Sequence, residues 1–546
     1  TRMKSLSLEN VTVLGLLSHR LLRSSMRLES DIYIPDRVCR LDSGGWPADA
    51  EGRTLLALIR QMEVTKREPS YLRETLRTVY GNLNEKGYLG EILPPGCFNE
   101  QQLSGHNWLL RALLDYARLT GCGEARAAAG RLVRSLYLPL RGGAYARYPL
   151  RPEDRVFEGR PDGELTGDCI NGWYLSTDIG CAYMCLDGLS RAYRDLDIPE
   201  LKDLLEEMIE AFAAIDFVGI SMQTHATLSG IRGILCFYEA LGDARYLEMA
   251  KRLFSLYERQ GMTENYANQN WFRRPHWTEP CAIVDSFMAA MDLFRFTENI
   301  IYFETAQKIY WNALGHAQRE NGGFGCDSCA LGDNPFLYAT GTGGDAYWCC
   351  SMRGGEGLAE VARSIGMEKN GVVHIGLYNP AELRFPGGRL EIRTQYPLEG
   401  RVSCRLYGRL PQDRIALFIP SYAADYHLKV NGSAVECRRV NGFAATTVPE
   451  NGFVELEFGI PLLAEPGKLA ASRERMTISH GFQMLGVSCE EECSIEPSAL
   501  RMTEPGVYEG GGVVLRPISD SYRLDAASLA ARKLQILFRR GEGRTV

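Results

Sequence analysis

Two short stretches concentrate thiols and a carboxylate. Thr278-Glu279-Pro280-Cys281 sets a carboxylate and a thiol two positions apart, and Cys349-Cys350 begin 68 residues further on (349 − 281). Three soft sulfurs and one hard oxygen make a four-coordinate set that suits zinc. The spacing leaves other sets open. Cys326 and Cys329 form a C-x-x-C that would complete a closed, all-cysteine structural site with Cys349 and Cys350. His276, three residues before Glu279, is a further ligand candidate. A redox C-x-x-C needs a thioredoxin-like strand–helix pattern, and none surrounds this one. Two buried, inert thiols are the plainest reading of the Cys-Cys pair taken alone.

The elements that must position these groups follow from periodicity. Residues from about 50 to 365 read as helices. A helix ends near an aromatic, a short turn follows, and a second amphipathic helix begins. The markers are Tyr116, Tyr193, Tyr238 and Phe294, at separations of 77, 45 and 56 residues (193 − 116, 238 − 193, 294 − 238). Met249, Leu253 and Leu256 show the helical apolar spacing in one copy. The helix pair repeats while the loops vary. Long Gly-rich connections suit a closed (α/α)6 toroid-type barrel whose loops build a site at one end.

After about residue 370 the texture becomes short alternating runs rich in β-branched and aromatic residues, separated by turns such as Asn431-Gly432. The expected fold is mainly α with β. It comprises an N-terminal strand segment over 1–30 packing on the β-domain, with residues 11–17 as the strand, and an (α/α) barrel catalytic domain over 31–368. A β-sandwich follows over 369–475, then a C-terminal β segment over 476–546 ending in a helix, DAASLAARKLQILFRR.

Bulk properties exclude several classes. The chain has 546 residues, more than one core usually holds. The formal net charge of −7 and the absence of a Lys/Arg run argue against nucleic-acid binding. No apolar run reaches the roughly 20 residues of a bilayer span. Sixteen scattered cysteines point to a reducing compartment, so the expectation is cytoplasmic. A sandwich edge offers a surface for a possible homodimer.

One family resembles this chain in its chemistry-bearing motifs. TEPC followed by YWCCSMRGGEGLAEVARSIG is similar to the glycoside hydrolases of family 127, the β-L-arabinofuranosidases and their relatives. GHNWLLRALLDYARLTG, IPSYAADYHLKVNGSAV and ISHGFQMLGV resemble further blocks, so scattered likeness covers about 50 to 490. The resemblance implies zinc held by Glu279, Cys281, Cys349 and Cys350, with Cys349 as nucleophile. It implies an acid/base glutamate upstream of Glu279. Glu264 lies 15 residues before it (279 − 264), with the aromatic Tyr266 two residues on. His106 and His225, at the starts of repeat helices, resemble sugar-binding histidines. Another histidine expected of the family is missing near Asp178. Tyr338, Trp108 and Trp173 are candidates to stack on a sugar.

The implied function is a zinc-dependent retaining exo-glycosidase acting on a small carbohydrate or glycan, releasing L-arabinofuranose or a related sugar. The chemistry is coherent. Retention needs an acid and a nucleophile on opposite sugar faces. A free thiol is only a few per cent ionised at neutral pH, and zinc removes that limit. Two alternatives remain. One is another (α/α)-barrel sugar hydrolase or lyase that needs no Cys-Cys. The other is a non-catalytic carbohydrate-binding relative with structural zinc.

Overall fold

The computed structural model describes residues 2–41, 45–150, 162–341, 344–519 and 533–541. Among them six helices form an inner ring: Asp49–Thr65, Glu100–Thr120, Cys185–Asp195, Thr224–Leu241, Pro280–Thr297 and Cys350–Arg363. Each packs on the next, and the last closes on the first. An outer helix backs each one. These are Leu72–Asn82, Gly123–Leu132, Leu201–Ala213, Ala244–Gln260 and Ile300–Lys308 behind the first five in order. The sixth partner, packed on Cys350–Arg363, is Gly15–Leu28 from the other end of the described chain. The ring is therefore an (α/α)6 barrel. No described helix is long and apolar enough to cross a membrane.

Local chemistry sets the helix ends. Asn99 caps Glu100–Thr120 by accepting from the Gln101 and Gln102 amides at 2.9 and 3.3 Å, and Gly121 ends it at φ +71°. Pro280 occupies the first position of Pro280–Thr297, where its missing N–H is no loss. Inner helices touch closely where side chains vanish. A Cβ at Gly52 would lie 2.3 Å from the Leu109 amide nitrogen, and one at Gly233 would lie 2.4 Å from the Leu186 carbonyl carbon.

Three large sheets follow the barrel. One runs in the order Lys4–Ser5, Gly366–Lys369, Val372–Ile375, Arg414–Phe418, Phe443–Thr447, Arg439–Val440. The second contains Tyr426–Val430, Phe453–Phe458, Arg401–Gly408, Gly388–Thr394 and Ala381–Phe385, with Val11–Val13 as an edge. Along Gly388–Thr394, Leu390 and Ile392 face the core opposite Leu406 and Cys404, while the alternate charged residues face out. The third sheet takes in Leu462–Pro466, Met476–His480, Gln483–Ser488 and Val513–Pro517. It also carries Leu534–Gln535, which pairs with Phe336–Leu337 from a barrel loop.

Two expectations need correction. The strand read over 11–17 stops at Val13, and Gly15 starts a helix whose buried stripe (Leu17, Leu21, Leu28) faces the last inner helix. The terminal helix does not extend through LQILFRR. Leu534–Gln535 and Arg539–Arg540 are strands, and Ile536, Leu537 and Phe538 are buried. Neighbouring strands and the Pro335 carbonyl satisfy this backbone, so tertiary pairing overrides the helical pattern of the alanine-rich run before it. The part of that segment over 525–532 lies outside the described residues.

Candidate metal and active site

The thiols and the carboxylate meet at the N-terminal ends of two adjacent inner helices. Glu279 immediately precedes Pro280–Thr297, Cys281 is its second residue, and Cys349 and Cys350 straddle the start of Cys350–Arg363. One ligand atom from each of Glu279, Cys281, Cys349 and Cys350 lies within 4.8 Å of every other. The Cys350 sulfur is 3.4 Å from that of Cys349 and 3.7 Å from that of Cys281. A tetrahedral zinc with Zn–S bonds of about 2.3 Å sets its sulfurs about 3.8 Å apart, so the donor set fits that ion in type and spacing.

Two of the four candidate ligands, Glu279 and Cys281, are held by neighbouring side chains. The Glu279 amide donates to Asn268 Oδ1 at 2.7 Å, and Asn268 Nδ2 donates to Thr224 Oγ1 at 2.9 Å. This ties the start of Thr224–Leu241 to the metal-site helix. Asn270, with its amide nitrogen turned toward Glu279, donates to Oε2 at 2.5 Å and accepts from Trp277 Nε1 at 3.3 Å. Arg53 donates to the Cys281 sulfur from Nη1 at 3.2 Å and to Asp49 Oδ2 from Nε at 2.9 Å. Its guanidinium lies 4.4 Å from the Trp108 ring centroid.

Burial pushes the thiols of Cys281 and Cys350 well above their ordinary value. For Cys349 a hydrogen bond with Cys281 works downward, but Cys350 beside it and burial outweigh this, and the shift is upward. Buried thiols of this kind stay protonated until a cation displaces the protons.

Beneath the cluster the barrel axis is filled with charge. Asp285 receives Arg232 at 2.9 Å, His225 Nδ1 at 2.6 Å, Ser229 at 3.0 Å, and Arg353. Arg111 and Arg232 both approach Asp187 at 3.1 Å. Burial alone would raise Asp285, but Arg353, His225 and Arg232 hold it far below the usual carboxylate range. This network locks the inner helices in register under the site.

The remaining expected residues separate. His225 sits in the first turn of Thr224–Leu241 and stacks on Trp108 at 5.5 Å. Asp285 takes its Nδ1, and its buried Nε2 has no hydrogen-bond partner among the described residues. His106 is spent on backbone: Nε2 accepts from the Leu89 amide at 2.9 Å, which leaves Nδ1 to donate to the Gln102 carbonyl at 2.7 Å. It is a buried structural tie and not a sugar contact. Trp108 and Trp173 are core residues, the latter donating to the Ala144 carbonyl at 3.0 Å. Tyr338 is 41% exposed.

Glu264 is also committed to structure. Its two carboxylate oxygens accept from the amides of Lys468 and Leu469 at 3.0 and 2.9 Å, so it pins a barrel loop to the β region. The rival ligand sets are not assembled. Cys326 reaches Cys350 but lies outside the four-atom cluster, Cys329 turns its thiol to the Asn268 carbonyl at 3.6 Å, and His276 is exposed.

Two residues were under-read in the sequence. Asp178, noted only where a histidine was missing, is buried, and none of its side-chain oxygens has a hydrogen-bond donor among the described residues. Burial, then Glu279, Asp162 and Glu100, push its carboxyl well up, against the pull of Arg274. Trp348, directly before Cys349, is 48% exposed. No periodicity flags either; Trp348 borders the cluster by its place in the chain, and Asp178 only through the fold.

No family model and no curated protein sequence matches the chain. Solved structures do. One titled a glycoside hydrolase superposes with a TM-score of 0.71 at 13% identity, covering 99% of this chain and 98% of that one. A structure titled a family 127 β-arabinofuranosidase gives a TM-score of 0.73 at 12% identity, over 99% of this chain and 98% of the other. The fold is that of family 127 glycoside hydrolases. A β-L-arabinofuranosidase from Geobacillus stearothermophilus T6 gives 0.65 at 13% identity, over 97% and 100%. Identities this low carry the architecture and nothing finer. Among these residues, Glu279, Cys281, Cys349 and Cys350 are brought together, with Arg53, His225 and Asp178 around them.

Proposed function

We propose that this chain is a zinc-dependent retaining exo-glycosidase that releases L-arabinofuranose or a related furanose from a non-reducing end. The carrying observation is the Glu279, Cys281, Cys349 and Cys350 cluster at one mouth of a barrel shared over its full length with proteins titled β-L-arabinofuranosidases.

Those four residues would hold the ion. Zinc bound there would keep the buried thiols deprotonated at neutral pH. Cys349 is the partly exposed member of the three, so its sulfur would be the one to meet an anomeric carbon. It would attack as the leaving oxygen is protonated, giving a glycosyl-thioether on Cys349. Water would then release the sugar with retention, the acid now serving as base. Glu264, the acid suggested by sequence, already accepts two backbone donors. We assign the proton to Asp178 instead, a buried carboxyl at the same mouth that accepts no hydrogen bond among the described residues. His225 and the exposed rings of Tyr338 and Trp348 would contact the sugar.

The test is hydrolysis of nitrophenyl glycosides, furanosides included, with metal analysis alongside. Turnover of an L-arabinofuranoside that chelator abolishes and Cys349→Ala eliminates, with circular dichroism unchanged, supports the reading. Full activity in Cys349→Ala removes the nucleophile. Stoichiometric zinc without hydrolysis of any glycoside favours a non-catalytic relative.

A further inference from the structure

We infer that Arg53 is a positioning residue that sets the metal affinity of the cluster and sets Cys281 apart from Cys349; this rests on the four-ligand zinc reading above. Three thiolates and one carboxylate around a divalent ion sum to a charge of −2 (+2 − 3 − 1) for the ligand set. Two of the sulfurs, those of Cys281 and Cys350, are fully buried. Buried net charge is costly unless opposite charge lies close by. The starts of Pro280–Thr297 and Cys350–Arg363 supply about half a positive charge each. Arg53 supplies the rest. Among the described residues it is the one cationic side chain that donates to a ligand sulfur.

Its geometry is built rather than incidental. Asp49, one helical turn earlier, takes Nε at 2.9 Å and leaves Nη1 aimed at Cys281 at 3.2 Å. The Trp108 ring lies 4.4 Å from the guanidinium. A planar fork with one arm on a carboxylate, one on a sulfur and a face on an indole is a site for arginine and not for lysine. The donated bond also divides the sulfurs by role. It draws electron density from Cys281, making that thiolate a quieter spectator. The Cys349 sulfur receives no N–H donor among the described residues and keeps its nucleophilicity.

The experiment measures zinc affinity by competition with a chromophoric chelator, for wild type, Arg53→Leu, Arg53→Lys and Asp49→Asn. Cobalt-substituted samples report thiolate ligation through their charge-transfer bands. Removing a partner one step behind a ligand typically costs 10–100-fold in affinity. Arg53→Leu is expected to lose that much while its cobalt bands still report three thiolates. Arg53→Lys recovers part of the loss, having the charge without the fork, and Asp49→Asn falls between lysine and wild type. If Arg53→Leu does not fold, the lysine and asparagine variants carry the test. Affinity within about twofold of wild type in every folded variant overturns the role of Arg53. Failure of wild type itself to take one equivalent of zinc overturns the metal reading instead.

Discussion

Replacing Glu264 by glutamine separates an acid from a structural tie. The carboxylate accepts from the amides of Lys468 and Leu469 at 3.0 and 2.9 Å. Glutamine keeps one oxygen for one amide and turns an NH2 toward the other. Hydrogen bonds to charged groups contribute about 1.5–3 kcal/mol each. Losing one and facing two donors together should therefore destabilise the loop-to-sheet junction by about 2–4 kcal/mol, seen as a lower urea midpoint and faster proteolysis near residues 263–266. Catalysis should behave differently. Removing a general acid slows turnover about 10²–10⁴-fold. The loss is steep for leaving groups that need a proton and slight for activated ones. Glu264→Gln should show neither pattern, retaining activity within about tenfold per folded molecule on both kinds of aryl furanoside. Asp178→Asn should show both, losing about 100-fold or more on the poor leaving group and little on the activated one. The reasoning is refuted if Glu264→Gln shows the leaving-group signature with an unchanged urea midpoint while Asp178→Asn is indifferent.

Other outcomes follow from the same geometry. Cys349→Ala should abolish hydrolysis while weakening zinc less than Cys350→Ala, because Cys350 sits between the other two sulfurs at 3.4 and 3.7 Å; zinc titration of both variants checks the order. Burial lowers His106 to about 4 from an ordinary value near 6.5. Its folded value is thus depressed, so the unfolded chain takes up the proton first, and stability present above about 6.5 is lost as pH falls toward 4, by roughly 3 kcal/mol. Denaturation across that window, compared with His106→Gln, would falsify this if the wild-type slope were flat. Trp348→Ala should raise KM for a disaccharide several-fold and leave kcat for an activated aryl glycoside within about twofold, since Trp348 is 48% exposed beside Cys349. Steady-state kinetics on the two substrates decides it.

Helix pairs were legible because their cause is local. A stripe of apolar residues and a terminal Gly or Asn cap are written within one turn or two, so four inner–outer pairs could be marked from Tyr116, Tyr193, Tyr238 and Phe294 alone. Alternation along Gly388–Thr394 was equally local. The closing pair was not. Gly15–Leu28 and Cys350–Arg363 are joined only by the packing of the finished ring, and the strand Leu534–Gln535 forms between Gln483–Ser488 and Phe336–Leu337, both distant in sequence.

The site divides in the same way. Residue types and motif likeness pointed to Glu279, Cys281, Cys349 and Cys350, since sulfur and carboxylate announce their ligand chemistry wherever they sit. Whether a polar group is free to act is a different matter. His106 and His225 read alike at the start of a helix, yet one meets the Leu89 amide and the other meets Asp285. Glu264 resembled an acid until Lys468 and Leu469 claimed both its oxygens from some 200 residues away. Asp178 gained its raised carboxyl and Arg53 its sulfur from neighbours on other elements. Sequence alone determined which chemistry was available. Tertiary structure decided which groups hold it, because desolvation and hydrogen-bond partners come from segments brought close only by folding.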